Sequence, residues 1–134
     1  MNWINENIIN EDDYGFVYKI TNIKTNKIYI GKKALYYIKK RKVGKKENTR
    51  KKFKKVIIDS GWRNYWGSSK ELLEEYKLNP NNFIKEILET AINKKQLTYL
   101  ELKYQIKYEV LENDTYNKNI LGRFYKKDTK KKIW

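Results

Sequence analysis

Two side chains that hydrolytic enzymes rely on are missing here: the 134-residue chain has no histidine and no cysteine. Ser-His-Asp triads, thiol nucleophiles, Cys-ligated zinc, iron–sulfur clusters and any nuclease dependent on a histidine base are excluded. Hydrolytic chemistry must then run on Tyr, Lys, Arg, Asp or Glu. Glu101 stands out first. It lies four residues after Leu97 and three before Tyr104, beside the apolar stripe of a predicted helix. A carboxylate on a core-facing border is costly unless it is paired or metal-bound. Glu101 is therefore either an edge residue paired with a lysine or a ligand for a divalent metal. Tyr18 and Tyr29 stand out next, eleven residues apart on two apolar runs. Alone, two such tyrosines are packing residues.

The elements that must position these residues can be read from periodicity. Phe16, Tyr18 and Ile20 alternate with Val17, Lys19 and Thr21, the pattern of a half-buried strand. Asn22–Asn26 has turn composition, and Lys27–Gly31 resumes with Ile28 and Ile30 on one face and Tyr29 on the other. Together they predict an antiparallel hairpin. A short helix is predicted over 33–42, where Ala34, Ile38 and Arg41 share a helical face. Residues 43–55 read as loop, followed by a brief apolar run at Val56–Ile58 and an aromatic cluster, Trp62, Tyr65 and Trp66, between Gly61 and Gly67. Those aromatics are either core plugs or platforms on which bases stack. Ser68-Ser69-Lys70-Glu71 fits a capping box opening a helix to about Leu78, and Asn79-Pro80 stops it. Phe83–Leu88 is a strand candidate. Asn93, with Gln96 three later, opens the longest helix, to about Leu111, with a stripe of Leu97, Leu100, Tyr104, Tyr108 and Leu111. The expected class is α+β, a small three-stranded antiparallel sheet flanked by helices. No internal repeat or second domain is visible.

Charge is concentrated. The net charge is +15, but residues 32–55 hold thirteen Lys/Arg and one acid, net +12, and residues 123–134 hold six basic residues and one acid, net +5. The remainder is net −2. A single-sign run with one acid reads as a polyanion site rather than a solvated face. The stretch 44–52 has no apolar face, which argues against membrane-surface binding. No apolar run reaches the ~18 residues of a membrane span, and no signal-peptide pattern opens the chain. Hydrophobic content of 40% with 15% aromatics is too high for a disordered chain.

Taken together, Gly15-Phe16-Val17-Tyr18, Tyr29-Ile30-Gly31, the basic segment and Glu101 resemble the GIY-YIG nuclease family, over Tyr14 to about Asn117. The Tyr-Ile-Gly element is intact. The first element reads Phe16-Val17-Tyr18 where Gly-Ile-Tyr is usual, with Gly15 one position early, but it retains the tyrosine. The segment Trp62, Tyr65, Gly67-Ser68-Ser69 is similar to small phage-type members. The resemblance implies a nuclease domain over 14–122 with a basic insert at 43–67, an acidic lead-in at 1–13 and a basic tail at 123–134. It implies Tyr18, Tyr29, Arg41 and Glu101 as catalytic residues, with Arg41 on the helix after the second strand and Lys39, Lys40 or Arg50 as alternatives. Glu101 would be the metal ligand. Gly31, Lys33, Tyr65 and Asn117 would support the site, Tyr65 standing nearest to the family's missing histidine and Asn117 matching a late Tyr-Asn pair. Lys32, Lys45, Lys46, Arg50, Lys51, Lys52, Lys54 and Lys55 would contact nucleic acid.

The implied reaction is hydrolysis of DNA phosphodiesters with Mg²⁺ or Mn²⁺. A single carboxylate suffices because Mg²⁺ keeps several waters and also binds substrate phosphate. Arg41 would neutralise transition-state charge, and Tyr18 or Tyr29 would take the proton from water. A free tyrosine titrates near 10, so a base acting near pH 7 needs a depression of roughly 3 units, which nearby Lys32, Lys33 and a metal would supply. The competing reading is a non-catalytic nucleic-acid-binding module on the same fold. Glu101-Leu102-Lys103 has the E-x-K spacing of another nuclease class, but it sits in a helical pattern without a preceding strand aspartate. The expected partner is DNA with no membrane, a homo-oligomer being one route to a double-strand cut, in the cytoplasm of a bacterial or phage-infected cell.

Overall fold

The computed structural model describes residues 2–44 and 53–130. The predicted hairpin forms from β1 (Gly15–Asn22) and β2 (Lys27–Ala34), in the register Tyr18↔Gly31 and Ile20↔Tyr29. Further along, β5 (Phe83–Ala91) pairs antiparallel with β1, giving a three-stranded sheet of order β2-β1-β5. Helix α1 (Lys70–Leu78) is capped by Ser69, whose hydroxyl accepts from Leu72 N–H at 3.3 Å. Helix α2 (Lys94–Lys107) is capped by Asn93, whose side chain accepts from Gln96 N–H at 2.8 Å. These caps satisfy backbone donors that helix geometry leaves free. The chain is thus α+β with a small antiparallel sheet, as its periodicity predicted.

Two cores form because strand side chains alternate between faces. Phe16, Tyr18 and Ile20 pack on one face with Trp3, Trp62, Leu72, Phe83, Ile87 and Tyr116. Val17 and Ile30 pack on the other with Leu97 and Leu100 of α2, Ala91, Val110, Leu111 and Ile120. The register of β5 against β1 shifts at Val17/Tyr18, where Leu88 is the extra residue. This bulge reverses the parity of β5: Phe83 and Ile87 face the first core, and Ala91, also odd-numbered, faces the second. Bulges re-aim side chains in this way, and this one lies beside Tyr18.

Three expectations are corrected. Residues 33–42 are not a helix. They finish β2 and form β3 (Tyr36–Lys42), which pairs antiparallel with β4 (Phe53–Asp59) as a separate two-stranded ribbon. Tyr36, Tyr37 and Ile38 have side chains that favour a strand, and the ladder to β4 gives the backbone its partners. Residues 53–55, expected as the end of the 43–55 loop, open β4, which also takes in the Val56–Ile58 run. Helix α2 also ends at Lys107, before Leu111. Its packed face includes Gln105, which donates to Ile30 O at 3.2 Å.

The acidic lead-in contributes to the core. Trp3 is 3% exposed, its ring is 5.3 Å from that of Tyr18, and its indole donates to Trp62 O at 2.9 Å. Ile4 bridges β5 through Ile4 N–H to Lys85 O and Ile87 N–H to Ile4 O, both 2.9 Å. At the other end, two-residue strands β6 (Asn119–Ile120) and β7 (Phe124–Tyr125) close a small hairpin. Among the described residues no helix is long and apolar enough to cross a membrane.

Candidate active site

The register of β1 against β2 sets Tyr18 opposite Gly31 and on the same sheet face as Tyr29. The two rings lie 6.1 Å apart, and the ring of Tyr65 lies 5.9 Å from Tyr18 on its other side. Tyr18 is 1% exposed and its hydroxyl is hydrogen-bonded to Tyr65. The Tyr29 hydroxyl is more accessible and pairs with Ser68 Oγ at 2.9 Å. Two glycines wall the Tyr18 hydroxyl. A Cβ on Gly31 would meet Tyr18 Oη at 2.5 Å, so this position needs the missing side chain for room. Gly67 has φ +85°, and a Cβ there would come within 3.3 Å of the same hydroxyl. Here glycine supplies both a left-handed backbone and space.

Glu101 comes from the opposite side of the sheet, on α2. Along the outer edge of β2 every second residue turns its backbone groups outward, and each of these finds a partner. Tyr116 N–H donates to Ile28 O at 2.9 Å. Asn117 brackets Ile30, accepting from its N–H at 2.9 Å and donating to its carbonyl at 2.8 Å. Lys32 N–H donates to the Glu101 carboxylate. The edge that would otherwise be left open is thus covered by the Tyr116 backbone and by the side chains of Asn117 and Glu101. Lys32 Nζ lies 4.0 Å from Glu101 Oε1 and donates to Thr98 Oγ1 at 3.0 Å.

The electrostatics follow from this enclosure. Burial pushes Tyr18 well above its ordinary value near 10, and the neighbouring Tyr29, Tyr65 and Glu101 push the same way. Tyr29 is raised by burial, against a lowering by its bond to Ser68. Glu101 is raised by burial, with Lys32 opposing. The protein's own groups thus hold both hydroxyls protonated, against the expectation that Lys32 and Lys33 depress them. Desolvation of a buried phenolate outweighs lysines that are themselves in contact with water.

Lys33 lies on the tyrosine side of β2. Its Nζ sits 4.3 Å from the centre of the Tyr65 ring and donates to the Tyr37 hydroxyl at 2.7 Å. With Tyr14, Lys32, Tyr37, Tyr65 and Lys94 it lines a cavity of about 190 Å³. Arg41 is not in this cluster. The helix expected to carry it is strand β3, and Arg41 lies four residues beyond Tyr37, about 14 Å further out. Lys54 pairs with Arg41 across the ribbon, and Lys55 pairs with Lys40. Lys45, Lys46, Arg50, Lys51 and Lys52 lie outside the described residues.

Three contributors have only faint sequence signals. Gly67 and Ser68 stand next to the aromatic cluster. Lys85 falls in the alternation Phe83, Lys85, Ile87, which puts a lysine on a core face. It is 1% exposed, lies 4.4 and 4.6 Å from the Trp3 and Trp66 rings, and donates to Arg63 O at 2.9 Å and Tyr65 O at 3.0 Å. It ties the 62–66 loop, and hence Tyr65, to the sheet. Trp62 is buried and Trp66 stacks on Tyr76 at 4.3 Å, so both indoles act as core plugs.

No curated protein and no solved structure matches this chain. A family model does, over residues 2–127: "Putative endonuclease segE, GIY-YIG domain". That match spans the lead-in that packs Trp3 against Tyr18, the hairpin with its two tyrosines, the ribbon, and the helix bearing Glu101. With the antiparallel sheet that carries them, it shows that the chain belongs to the GIY-YIG endonuclease family.

Proposed function

We propose that this protein is a metal-dependent DNA endonuclease that hydrolyses phosphodiester bonds with one metal ion and a tyrosine base. The observation that carries the reading is the convergence of Tyr18 and Tyr29 from one sheet face and Glu101 from the other, across the bare backbone of Gly31. Nothing about packing requires a half-buried carboxylate beside one buried and one accessible tyrosine hydroxyl. Its partner Lys32, at 4.0 Å, is a loose one.

The residues present fit Mg²⁺ or Mn²⁺. Glu101 offers hard oxygen with 18% of its side chain exposed, and such ions accept one or two carboxylates while keeping several waters. Among the described residues no group of three acidic side chains offers a fuller cage, so water and substrate phosphate would complete the coordination. When bound, the metal supplies Lewis-acid stabilisation of the phosphate and of the leaving oxygen. The protein's own residues do the rest. One of the Tyr18/Tyr29 pair would act as base in its phenolate form: with the metal bound, its hydroxyl would first release its proton to solvent, and the phenolate oxygen would then accept the proton of the attacking water. Lys33, facing the tyrosines, neutralises charge on the transferring phosphate in the place first expected of Arg41. Asn117 fixes the backbone of Ile30, and so the position of Gly31 opposite Tyr18. Arg41 and Lys54 contact DNA beyond the reacting phosphate.

The test is cleavage of supercoiled plasmid with Mg²⁺ or Mn²⁺. Glu101→Gln should abolish cutting and keep salt-sensitive binding. Tyr18→Phe and Tyr29→Phe assign the base, which should lose on the order of 10²-fold or more in rate, while its partner loses less. Wild-type protein that binds several DNAs and cuts none with either metal would make this a binding module on the same fold.

A further inference from the structure

We propose that the β3–β4 ribbon is a docking arm that enters the major groove of duplex DNA, with one defined face turned toward the DNA. The inference deepens the reading of DNA as substrate and rests on it. Among the described residues the ribbon pairs only with itself, as its own two-stranded sheet. A hairpin without a third strand or a helix to cover it is marginal in water. It also exposes Ile38 (58%) and Ile57 (72%) to solvent. What holds it is its base. Leu35 N–H donates to Tyr14 O at 2.8 Å, Ser60 N–H donates to Leu35 O at 3.1 Å, and the Tyr14 and Tyr36 rings meet edge-on at 5.7 Å.

Its charge selects the partner. The two strands carry Lys39, Lys40, Arg41, Lys42, Lys54 and Lys55 against one acid, Asp59, which sits at the base 3.5 Å from Arg63. An antiparallel ribbon of this kind fits the major groove, about 12 Å wide, and not the minor groove at about 6 Å. Seven residues of β3 span roughly 24 Å, the length of about seven base pairs.

The register says which side faces the duplex. The pairs Tyr37↔Ile58, Lys39↔Val56 and Arg41↔Lys54 share one face, and Ile38↔Ile57 and Lys40↔Lys55 share the other. Tyr37 accepts from Lys33, Lys33 lies over Tyr65, and Tyr65 packs beside Tyr18. The first face is therefore continuous with the tyrosine site. Exposure agrees, with Tyr37 at 44% and Ile58 at 37% being more covered than Ile38 and Ile57. A duplex whose phosphate sits at the tyrosines would meet Lys39, Arg41 and Lys54, while Lys40 and Lys42 point away.

The test compares two double variants of the full chain that lose the same charge from the same strand, Lys39→Gln/Arg41→Gln and Lys40→Gln/Lys42→Gln. Binding to a duplex of roughly three helical turns is measured without added metal across a salt series, with thermal unfolding as the fold control. The inner pair should weaken binding at least tenfold at physiological salt and reduce the salt slope by about 1.8, two phosphate contacts at ~0.9 each. The outer pair should change either quantity by less than half as much. Wild-type protein should protect guanine N7, in the major groove, from methylation. Equal losses from both pairs, or protection confined to adenine N3 in the minor groove, would overturn the proposal. If the wild type cuts plasmid but shows no difference between faces, the ribbon inference fails and the nuclease reading stands. Face-dependent binding without cleavage under any metal reverses that outcome.

Discussion

At the scale of single residues, the site depends on what is absent as much as on what is present. Gly31 faces Tyr18 with no side chain between them, and that gap is what brings hydroxyls and carboxylate together across one strand. Gly31→Ala would place a methyl group 2.5 Å from Tyr18 Oη and 2.7 Å from Cζ. Tyr18 is 1% exposed, wedged between Trp3, Tyr29 and Tyr65, and cannot swing aside. Overpacking of this kind costs about 1–3 kcal/mol, which urea unfolding would register, and cleavage should fall more than stability explains. Gly31→Ala with wild-type kinetics would show that the tyrosine does not need its observed place. The E101Q variant is its complement, removing chemistry without touching packing. Glu101 is legible from sequence because a carboxylate beside a leucine stripe is conspicuous. Gly31 is legible only through the resemblance, since nothing in the letters says which glycine faces a tyrosine.

At the scale of elements, the question is what ties the 62–66 loop to the sheet so that Tyr65 stays beside Tyr18. Lys85 of β5 does so, through two carbonyls and two indoles. Burial lowers its titration to about 8, against a smaller raising influence from Glu6. The sign then follows from proton linkage. Between about pH 8 and the ordinary lysine value near 10.4, the unfolded chain holds more protons at this position than the folded one. Lys85 therefore contributes a stability term that increases with pH across that window. Lys85→Met should remove it, so the difference in unfolding free energy between wild type and variant, followed from pH 7 to 10, should slope upward in favour of wild type. A flat difference would mean that Lys85 titrates normally. At neutral pH the variant leaves two carbonyls without a donor, at about 1–3 kcal/mol each. The same scale shows why the ribbon was missed. Its residues Tyr36 to Lys42 satisfy a helical spacing and a strand alternation equally well, and only the partner strand beyond residue 52 decides between them.

At the scale of the whole molecule, the +15 charge resolves into a body of net −2 with cationic attachments. The described part of the first attachment is a ribbon standing next to the tyrosines, not a coil. The described part of the second, residues 123–130, folds back on the body, where Lys126 Nζ donates to Thr115 O at 3.4 Å and Thr129 Oγ1 to Leu111 O at 3.5 Å. On the proposed reading, Glu101 is the single metal-binding carboxylate among the described residues of each chain. A single chain should then cut one strand per visit. On supercoiled plasmid with protein below the DNA concentration, nicked circles should accumulate first and linear product should follow with a lag. Linear product appearing without a nicked precursor would show two chains acting together.

What the sequence determined by itself was the class of chemistry and the local frame. The missing histidine and cysteine excluded whole classes of hydrolysis, and the family resemblance carried by Tyr18, Tyr29-Ile30-Gly31, the basic segment and Glu101 implied a nuclease, because residue type and period are local properties. Helix α1, helix α2 through its Asn93 cap, and the β1–β2 hairpin were legible for the same reason. Tertiary structure alone decided that residues 36–42 are a strand, that Arg41 lies out on a ribbon while Lys33 faces the tyrosines, that Lys85 is a buried clamp, and that a bulge at Leu88 hands Ala91 to the second core. Each of these depends on a partner distant in the chain. Ladder pairing, desolvation and register are set between segments, and a buried phenolate or ammonium acquires its energy only when those segments have met.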